Sequence, residues 1–288
     1  MAEAKKLPCP PKLRRAMRYV ALVLVSLLAA AAMNNGARAD DPLKVFAAGS
    51  LHDAFGKIAA AFEAEGGGPV DLTFGPAGLL RQRIEDGAPA TLFASANLAH
   101  PQALADAGKG GAVVTFARNA LCAITKPGAG FTAANLLDRM LDAKVKLGIF
   151  TPGADPSGDY ALVVFRRADT LFPGAGERLD AKARPLLGGR EAPKVPAGHN
   201  PIAYHLDAGD ADLFLGYCTI AKGRGAEHFE AVPLPPSLAV GADYGLTVLK
   251  GPPARELAAS RLALFILSAR GQSILAKFGF ETGFQGDR

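Results

Sequence analysis

The stretch over residues 45–62, VFAAGSLHDAFGKIAAAF, constrains the fold more than any other part of the chain. It begins as a short apolar run, passes through small residues and continues with apolar side chains at helical spacing. The pattern predicts a strand, a tight turn and a helix, with Ser50 at the N-cap. The N-cap hydroxyl and the first free N–H groups of a helix face one point, and such a point binds anions.

The same plan returns three more times along the chain. A strand over 69–74 precedes Ala77-Gly78 and a helix over 79–86, and the turns at Ser157-Gly158 and His199-Asn200 also open helices. Alternating strands and helices predict an α/β fold with parallel strands and right-handed crossovers. Two turns come from each half of the chain, so they can meet only in a cleft between two lobes.

The run FARNALCAIT over 116–125 predicts a strand long enough to leave one sheet and enter another. We interpret it as the first crossing between the lobes. The expected boundaries are 40–118 together with 246–288 for lobe 1, and 119–245 for lobe 2.

The first 39 residues have the pattern of a secretory signal. Basic residues precede an apolar run from Tyr19 to Met33, and Ala37-Arg38-Ala39 then supplies a cleavage site. The apolar run is shorter than the roughly 20 residues that span a bilayer. We therefore expect export to the periplasm, with cleavage after Ala39.

The basic charge of the whole chain does not indicate a nucleic-acid partner. The formal net charge is +5, but the excess of Lys and Arg lies in the predicted signal, and the remainder is close to neutral. No phosphate-binding glycine motif is present, and His199 and His205, six residues apart, do not share a helix face. We expect no cofactor and no bound metal.

Cys122 and Cys218 both lie in apolar, strand-like runs. An oxidising compartment would allow one disulfide between them. Two separate buried thiols, acting as small apolar side chains, are the preferred interpretation.

The turn residues define the chemistry that the cleft can offer. The predicted donors are backbone N–H groups, the hydroxyls of Ser50, Ser157 and Tyr217, and a ring nitrogen of His199. Tyr217 lies at the carboxyl end of a predicted strand. A lining so rich in donors suits a fully ionised oxyanion, whose oxygens all accept hydrogen bonds.

An exported serine hydrolase is an alternative from another class. Ser50 or Ser157 would be the nucleophile, and His199 would have to lie beside it as the base. The sequence has no GxSxG elbow. We expect a binding protein with no catalytic residues.

Several segments together resemble the periplasmic molybdate-binding proteins of ABC importers. They are VFAAGSL at 45–51, GAPA at 87–90, FASA at 93–96, FARN at 116–119, FILS at 265–268, GQ at 271–272 and FGF at 278–280. The resemblance implies a type II periplasmic-binding-protein fold, in which each lobe is a mostly parallel sheet flanked by helices. It also implies a monomer that binds molybdate or tungstate by hydrogen bonds alone and delivers it to an inner-membrane permease.

Ser50 and Tyr217 match the serine and tyrosine of that family's site. The family's second serine falls on Ala77, which can offer only an N–H, as can Gly78. Ser157 stands in the third turn, where the family has alanine, and supplies a hydroxyl. His199 takes the place of a small apolar residue that offers a backbone donor.

Asp155 and Asp159 bear on the identity of the anion. We expect both to face solvent in the first turn of a helix, where the helix dipole favours acids. If either carboxylate faced the cleft, it would repel a dianion. It would then accept a proton from a ligand such as hydrogen phosphate or a phosphonate.

Overall fold

A computed structural model of the protein describes residues 41–223 and 225–282, and the predicted signal lies outside this part of the chain. The described residues form a nine-stranded sheet in the order β2-β1-β3-β9-β4-β7-β5-β6, and β8 pairs with β4. The strands are β1 Leu43–Ala48, β2 Val70–Gly75, β3 Leu92–Ser95, β4 Val114–Thr125, β5 Leu147–Phe150, β6 Arg184–Leu187, β7 Leu213–Tyr217, β8 Glu230–Pro233 and β9 Gly241–Val248.

Helices connect most of the strands and pack against the sheet. They are α1 His52–Ala64, α2 Ala77–Glu85, α3 Ala99–Asp106, α4 Leu136–Leu141, α5 Pro156–Leu171, α6 Ala175–Lys182, α7 Pro201–Asp207, α8 Pro253–Leu267 and α9 Ala269–Lys277. Among the described residues, none of these helices has the length and apolar character needed to cross a bilayer.

Strand β4 joins two groups of parallel strands. β1 runs parallel to β2 and β3, and β5 runs parallel to β6 and β7. The first part of β4, up to Ala120, pairs with β9, whereas the part from Leu121 onward pairs with β7 and β8. The predicted two-lobed α/β fold is confirmed, and the exact lobe boundaries stay a prediction.

Buried aromatic rings fill the core where β4 and β9 meet α1. Phe55, Phe116 and Tyr244 are almost completely buried. The ring centroids of Phe55 and Phe116 are 5.8 Å apart, and those of Phe116 and Tyr244 are 6.2 Å apart. The apolar face of α1, predicted from its periodicity, is therefore the face that packs on the crossing strands.

Two strands lie in segments that contain proline. Residues 173–198 contain both α6 and β6. β8 ends in the proline-rich stretch that begins at Val232. β6 includes Pro185 and is the last strand of the sheet order. Proline lacks an N–H but is tolerated on an edge strand, which explains why a proline-rich segment still pairs.

Cys122 and Cys218 form a disulfide, with their Cα atoms 5.0 Å apart. The preferred interpretation of two separate thiols was wrong. The antiparallel register places Cys122 opposite Gly216, two residues before Cys218. This pairing joins residues 96 positions apart, and local sequence gives no signal for it.

Candidate functional site

A cavity of about 360 Å³ lies at the carboxyl ends of the parallel strands. This is where open α/β sheets place their ligands. Each of the six parallel strands ends in a lining residue or is directly followed by one, and these residues are Ala48, Gly75, Ala96, Phe150, Leu187 and Tyr217. Both groups of parallel strands therefore contribute to one cavity, as the repeated strand, turn and helix plan predicts.

Ser50 lines the cavity but does not cap a helix. Gly49–Leu51 form a 3₁₀ turn that begins one residue after β1 ends, so Ser50 lies inside the turn. Its Oγ instead lies 2.9 Å from the hydroxyl of Tyr244. The N–H groups of the turn have no intrahelical acceptor, as in any first helical turn, and can still serve a ligand. The predicted N-cap role was wrong because the helical turn begins earlier.

Ala77 and Gly78 open α2 but have different surroundings. Ala77 lines the cavity, whereas Gly78 is not among its lining residues. The Gly78 N–H donates to the carbonyl oxygen of Ala154 at 2.9 Å. Arg190 Nη2 donates to Gln82 Oε1 at 2.8 Å on the same side. These bonds join the two predicted lobes, and the N–H expected to hold the anion is engaged by the protein itself.

Asp155 caps α5 and also lines the cavity. Its Oδ1 accepts the N–H of Ser157 at 2.9 Å. Burial raises the pKa of Asp155 to about 6, although the Ser157 N–H acts to lower it. The expectation that Asp155 faces solvent was wrong, because the turn before α5 directs this residue toward the cavity.

Asp159 differs from Asp155, although it lies only one helical turn away. It is not among the cavity residues, and its Oδ1 accepts the N–H of Gly153 at 2.7 Å. Burial raises the pKa of Asp159, and the Gly153 N–H lowers it. Asp159 is therefore a matched reference for the behaviour of Asp155.

The hydroxyl of Ser157 is buried without a hydrogen-bond partner among the described residues, and the hydroxyl of Tyr217 is buried beside that of Tyr244. Tyr217 lines the cavity, and Ser157 follows Asp155 and Pro156, which both line it. Burial, together with the nearby Tyr244 and Asp155, raises the pKa of Tyr217 well above its ordinary value, so this hydroxyl keeps its proton. Buried hydroxyls are normally satisfied, so these two are candidates to contact a ligand.

His199 is exposed and is not among the cavity residues. Its ring packs against Tyr204, with centroids 5.7 Å apart. Asn200 lines the cavity and caps α7 as predicted, since its Oδ1 accepts the N–H of Ile202 at 3.0 Å. No hydrogen bond joins His199 to Ser50 or Ser157 in the described part of the chain, so the hydrolase alternative lacks its base.

A buried polar chain beneath Ser50 was not predicted. The hydroxyl of Tyr244 contacts Ser50 and lies 3.4 Å from Asn119 Nδ2, which also donates to Thr219 Oγ1 at 2.9 Å. The rings of Tyr217 and Tyr244 are 5.6 Å apart, and that of Tyr160 lies 6.5 Å from Tyr217. The sequence indicates this network only through Asn119, a polar residue within a largely apolar strand.

The described residues contain no group of three or more His, Cys, Asp or Glu side chains that could hold a metal ion. Chemically, the cavity offers hydrogen-bond donors from Ser50, Ala77 and Tyr217, carboxyl groups from Asp53 and Asp155, and the imidazole of His52, whose Nδ1 lies 2.9 Å from Asp53 Oδ1. This set of groups can bind a small polar solute.

Comparison with known proteins gives the family. Residues 43–281 match the family model described as bacterial extracellular solute-binding protein. An uncharacterized protein of Pasteurella multocida, PM1146, is 35% identical over 240 residues, which are 83% of this chain and 98% of that protein.

Solved structures of binding proteins share the fold. The periplasmic molybdate-binding protein of Azotobacter vinelandii superposes with a TM-score of 0.64 at 19% identity, covering 84% of this chain and 99% of its own. The sulfate-binding protein SubI of Mycobacterium tuberculosis gives 0.68 at 18% identity, covering 85% and 88%. These likenesses show the fold, and the match of the family model over residues 43–281 shows that the protein belongs to the bacterial extracellular solute-binding protein family.

Proposed function

We propose that the protein is the periplasmic solute-binding component of an ABC importer and that it captures a small oxyanion carrying a proton. The observation behind the proposal is that Asp155 lines the same cavity as Ser50, Ala77 and Tyr217. A hydrogen phosphate or phosphonate group can accept from the donors and give its own proton to the Asp155 carboxylate. The captured solute would then be delivered to an inner-membrane permease.

Each site residue has an assigned role in this proposal. Ser50 donates through its N–H and its hydroxyl, and Ala77 donates through its N–H. Tyr217 and Ser157 donate through their buried hydroxyls. Gly78 holds the lobes together instead of binding the anion, and His199 has no role at the site.

Molybdate and tungstate are the second candidates, because the sequence resembles the molybdate-binding family and a molybdate-binding protein shares the fold. Both are dianions without a proton. A carboxylate in the wall would repel them unless Asp155 itself took up a proton, since burying an unpaired charge is costly. Asp155 thus shifts the preference toward hydrogen phosphate and phosphonates.

A thermal-shift and calorimetric titration tests the function. Phosphate, methylphosphonate, molybdate, tungstate and sulfate would each be added to the protein without its leader. A ligand that binds only the folded state raises the unfolding temperature as its concentration rises. We expect phosphate or methylphosphonate to give the largest shift, and no response to any of the five would refute oxyanion binding.

The pH dependence separates the two candidates. Since the pKa of Asp155 is about 6, its carboxyl is ionised at pH 8. A dianion must then bring in one proton, so its affinity should fall about tenfold per pH unit above 6. Asp155→Asn, which keeps the cap, should remove this slope and tighten molybdate or sulfate binding at pH 8 by up to about a hundredfold.

Asp159→Asn is the matched control, because Asp159 lies one turn away and outside the cavity lining. It should keep the slope of about tenfold per pH unit, but the slope should begin at a lower pH, because the charge of Asp159 contributes to the raised pKa of Asp155. Molybdate binding that is independent of pH in the unmodified protein would contradict the assigned role of Asp155.

A further inference from the structure

The cavity has an apolar wall that an inorganic anion would leave uncovered. Phe150 and Leu187 end strands β5 and β6, Ile202 lies in the first turn of α7, and Ile220 follows β7; all four line the cavity. They belong to, or pack against, a second hydrophobic cluster that includes Cys122 and Phe214. Phe150 and Ile220 remain partly exposed.

The apolar wall adjoins the polar site. A Cβ placed on Gly188 would lie 3.0 Å from the Cβ of Asp155 and 3.4 Å from Cδ1 of Phe150. One placed on Gly216 would lie 2.9 Å from Cδ1 of Ile220 and 3.5 Å from Cε2 of Phe150. One side of the cavity is therefore formed by three neighbouring side chains, with Phe150 between Asp155 and Ile220.

The size of the cavity also exceeds that of a tetrahedral oxyanion. Its volume of about 360 Å³ corresponds to about twelve water molecules at roughly 30 Å³ each. An oxyanion of five heavy atoms fills only part of it. Water that contacts this wall lacks polar partners on that side, because the wall offers carbon atoms. The volume falls in the range of pockets that bind small organic ligands.

We propose that the natural ligand is an organic oxyanion, a singly substituted phosphonate or phosphate monoester whose short apolar substituent packs against Phe150, Leu187, Ile202 and Ile220. This inference rests on the proposed function and specifies its substrate class. The tetrahedral group meets Ser50, Ala77 and Tyr217, and its single proton faces Asp155. The substituent covers the apolar wall and displaces weakly held water.

A chain-length series tests the inference. Inorganic phosphate and the methyl, propyl and butyl phosphonates would be titrated calorimetrically into the protein, with propyl phosphate included to distinguish a monoester from a phosphonate. Burying a methylene should raise affinity about threefold to fourfold until the wall is covered. Comparing propyl phosphate with the alkyl phosphonates shows whether the site prefers a P–O–C or a P–C linkage.

Two variants of Ile220 make the test specific. Ile220→Ala removes contact area, so the gain per methylene should fall, whereas Ile220→Phe fills the space and should weaken butylphosphonate more than phosphate. Leu264→Ala is the control, because Leu264 is 67% exposed on α8. Leu264→Ala should show the same gain in affinity per methylene as the unmodified protein.

The outcomes distinguish this inference from the proposed function. Affinity that rises with chain length and depends on Ile220 supports an organic ligand. If affinity stays constant or falls from phosphate to butylphosphonate, the inference is overturned, but the proposal of oxyanion capture is not. Failure of every organic and inorganic oxyanion to bind overturns both.

Discussion

Replacing Gly78 by alanine is expected to weaken ligand binding about tenfold to a hundredfold. A Cβ at this position would overlap the carbonyl oxygen of Gly153 and lie 2.8 Å from that of Ala154. These are backbone atoms, which cannot move aside as a flexible side chain would. The added methyl group would also strain the bond from the Gly78 N–H to Ala154.

The clash destabilises the conformation in which the two predicted lobes are in contact. Overpacking a close contact costs about 1–3 kcal/mol, and each 1.4 kcal/mol is a factor of ten in affinity. Calorimetry with the tightest oxyanion measures the loss, and small-angle X-ray scattering measures whether the ligand still compacts the protein.

Gly56→Ala provides the matched control for Gly78→Ala. Gly56 lies within α1, where an added Cβ meets nothing within 4 Å. Alanine is favoured over glycine in a helix, so this variant should be more stable by about 0.5–1 kcal/mol and bind normally. Wild-type affinity and compaction in Gly78→Ala would show that the contact with residues 153 and 154 does not accompany binding.

Loss of the disulfide between Cys122 and Cys218 has the second large expected effect. The bridge closes a loop of 96 residues, and removing a native disulfide costs about 2–5 kcal/mol. For a chain of this size, each kcal/mol lowers the unfolding temperature by about 2–4 °C. The double variant Cys122→Ala with Cys218→Ala should therefore unfold about 5–20 °C lower, as measured by calorimetry.

Chemical reduction supplies an independent comparison. The unmodified protein treated with a reductant should match the double variant, whereas the reductant should not affect the variant. Cys218 directly follows Tyr217, so ligand affinity should fall as well if the bridge holds that tyrosine in place. An unchanged unfolding temperature after verified reduction would contradict the expected contribution.

The sequence predicted those features of the fold that depend on neighbouring residues. Apolar periodicity located β1 and α1, and the strand that ends at Tyr217 follows the prediction. The turn at His199-Asn200 correctly predicted that a helix, α7, begins directly after it. Three of the predicted site residues, Ser50, Ala77 and Tyr217, line one cavity.

The incorrect predictions depended on contacts between distant residues. The pairing of Cys122 with Cys218 depends on the register between β4 and β7. The side on which Asp155 lies depends on how the turn before α5 packs. His199 is exposed, and its ring packs against Tyr204. Ser50 reaches Tyr244, 194 positions away, and no local pattern encodes that bond.

The row of tyrosine rings beside the cavity gives the protein a built-in optical signal. The chain contains no tryptophan and five tyrosines, of which Tyr160, Tyr217 and Tyr244 form the row of ring contacts. Tyr217 lines the cavity, and the hydroxyls of Tyr244 and Ser50 are within hydrogen-bonding distance. Ultraviolet emission therefore comes largely from side chains next to the captured solute. We expect oxyanion binding to change the tyrosine fluorescence of the unlabelled protein, so that affinity can be read directly in a cuvette.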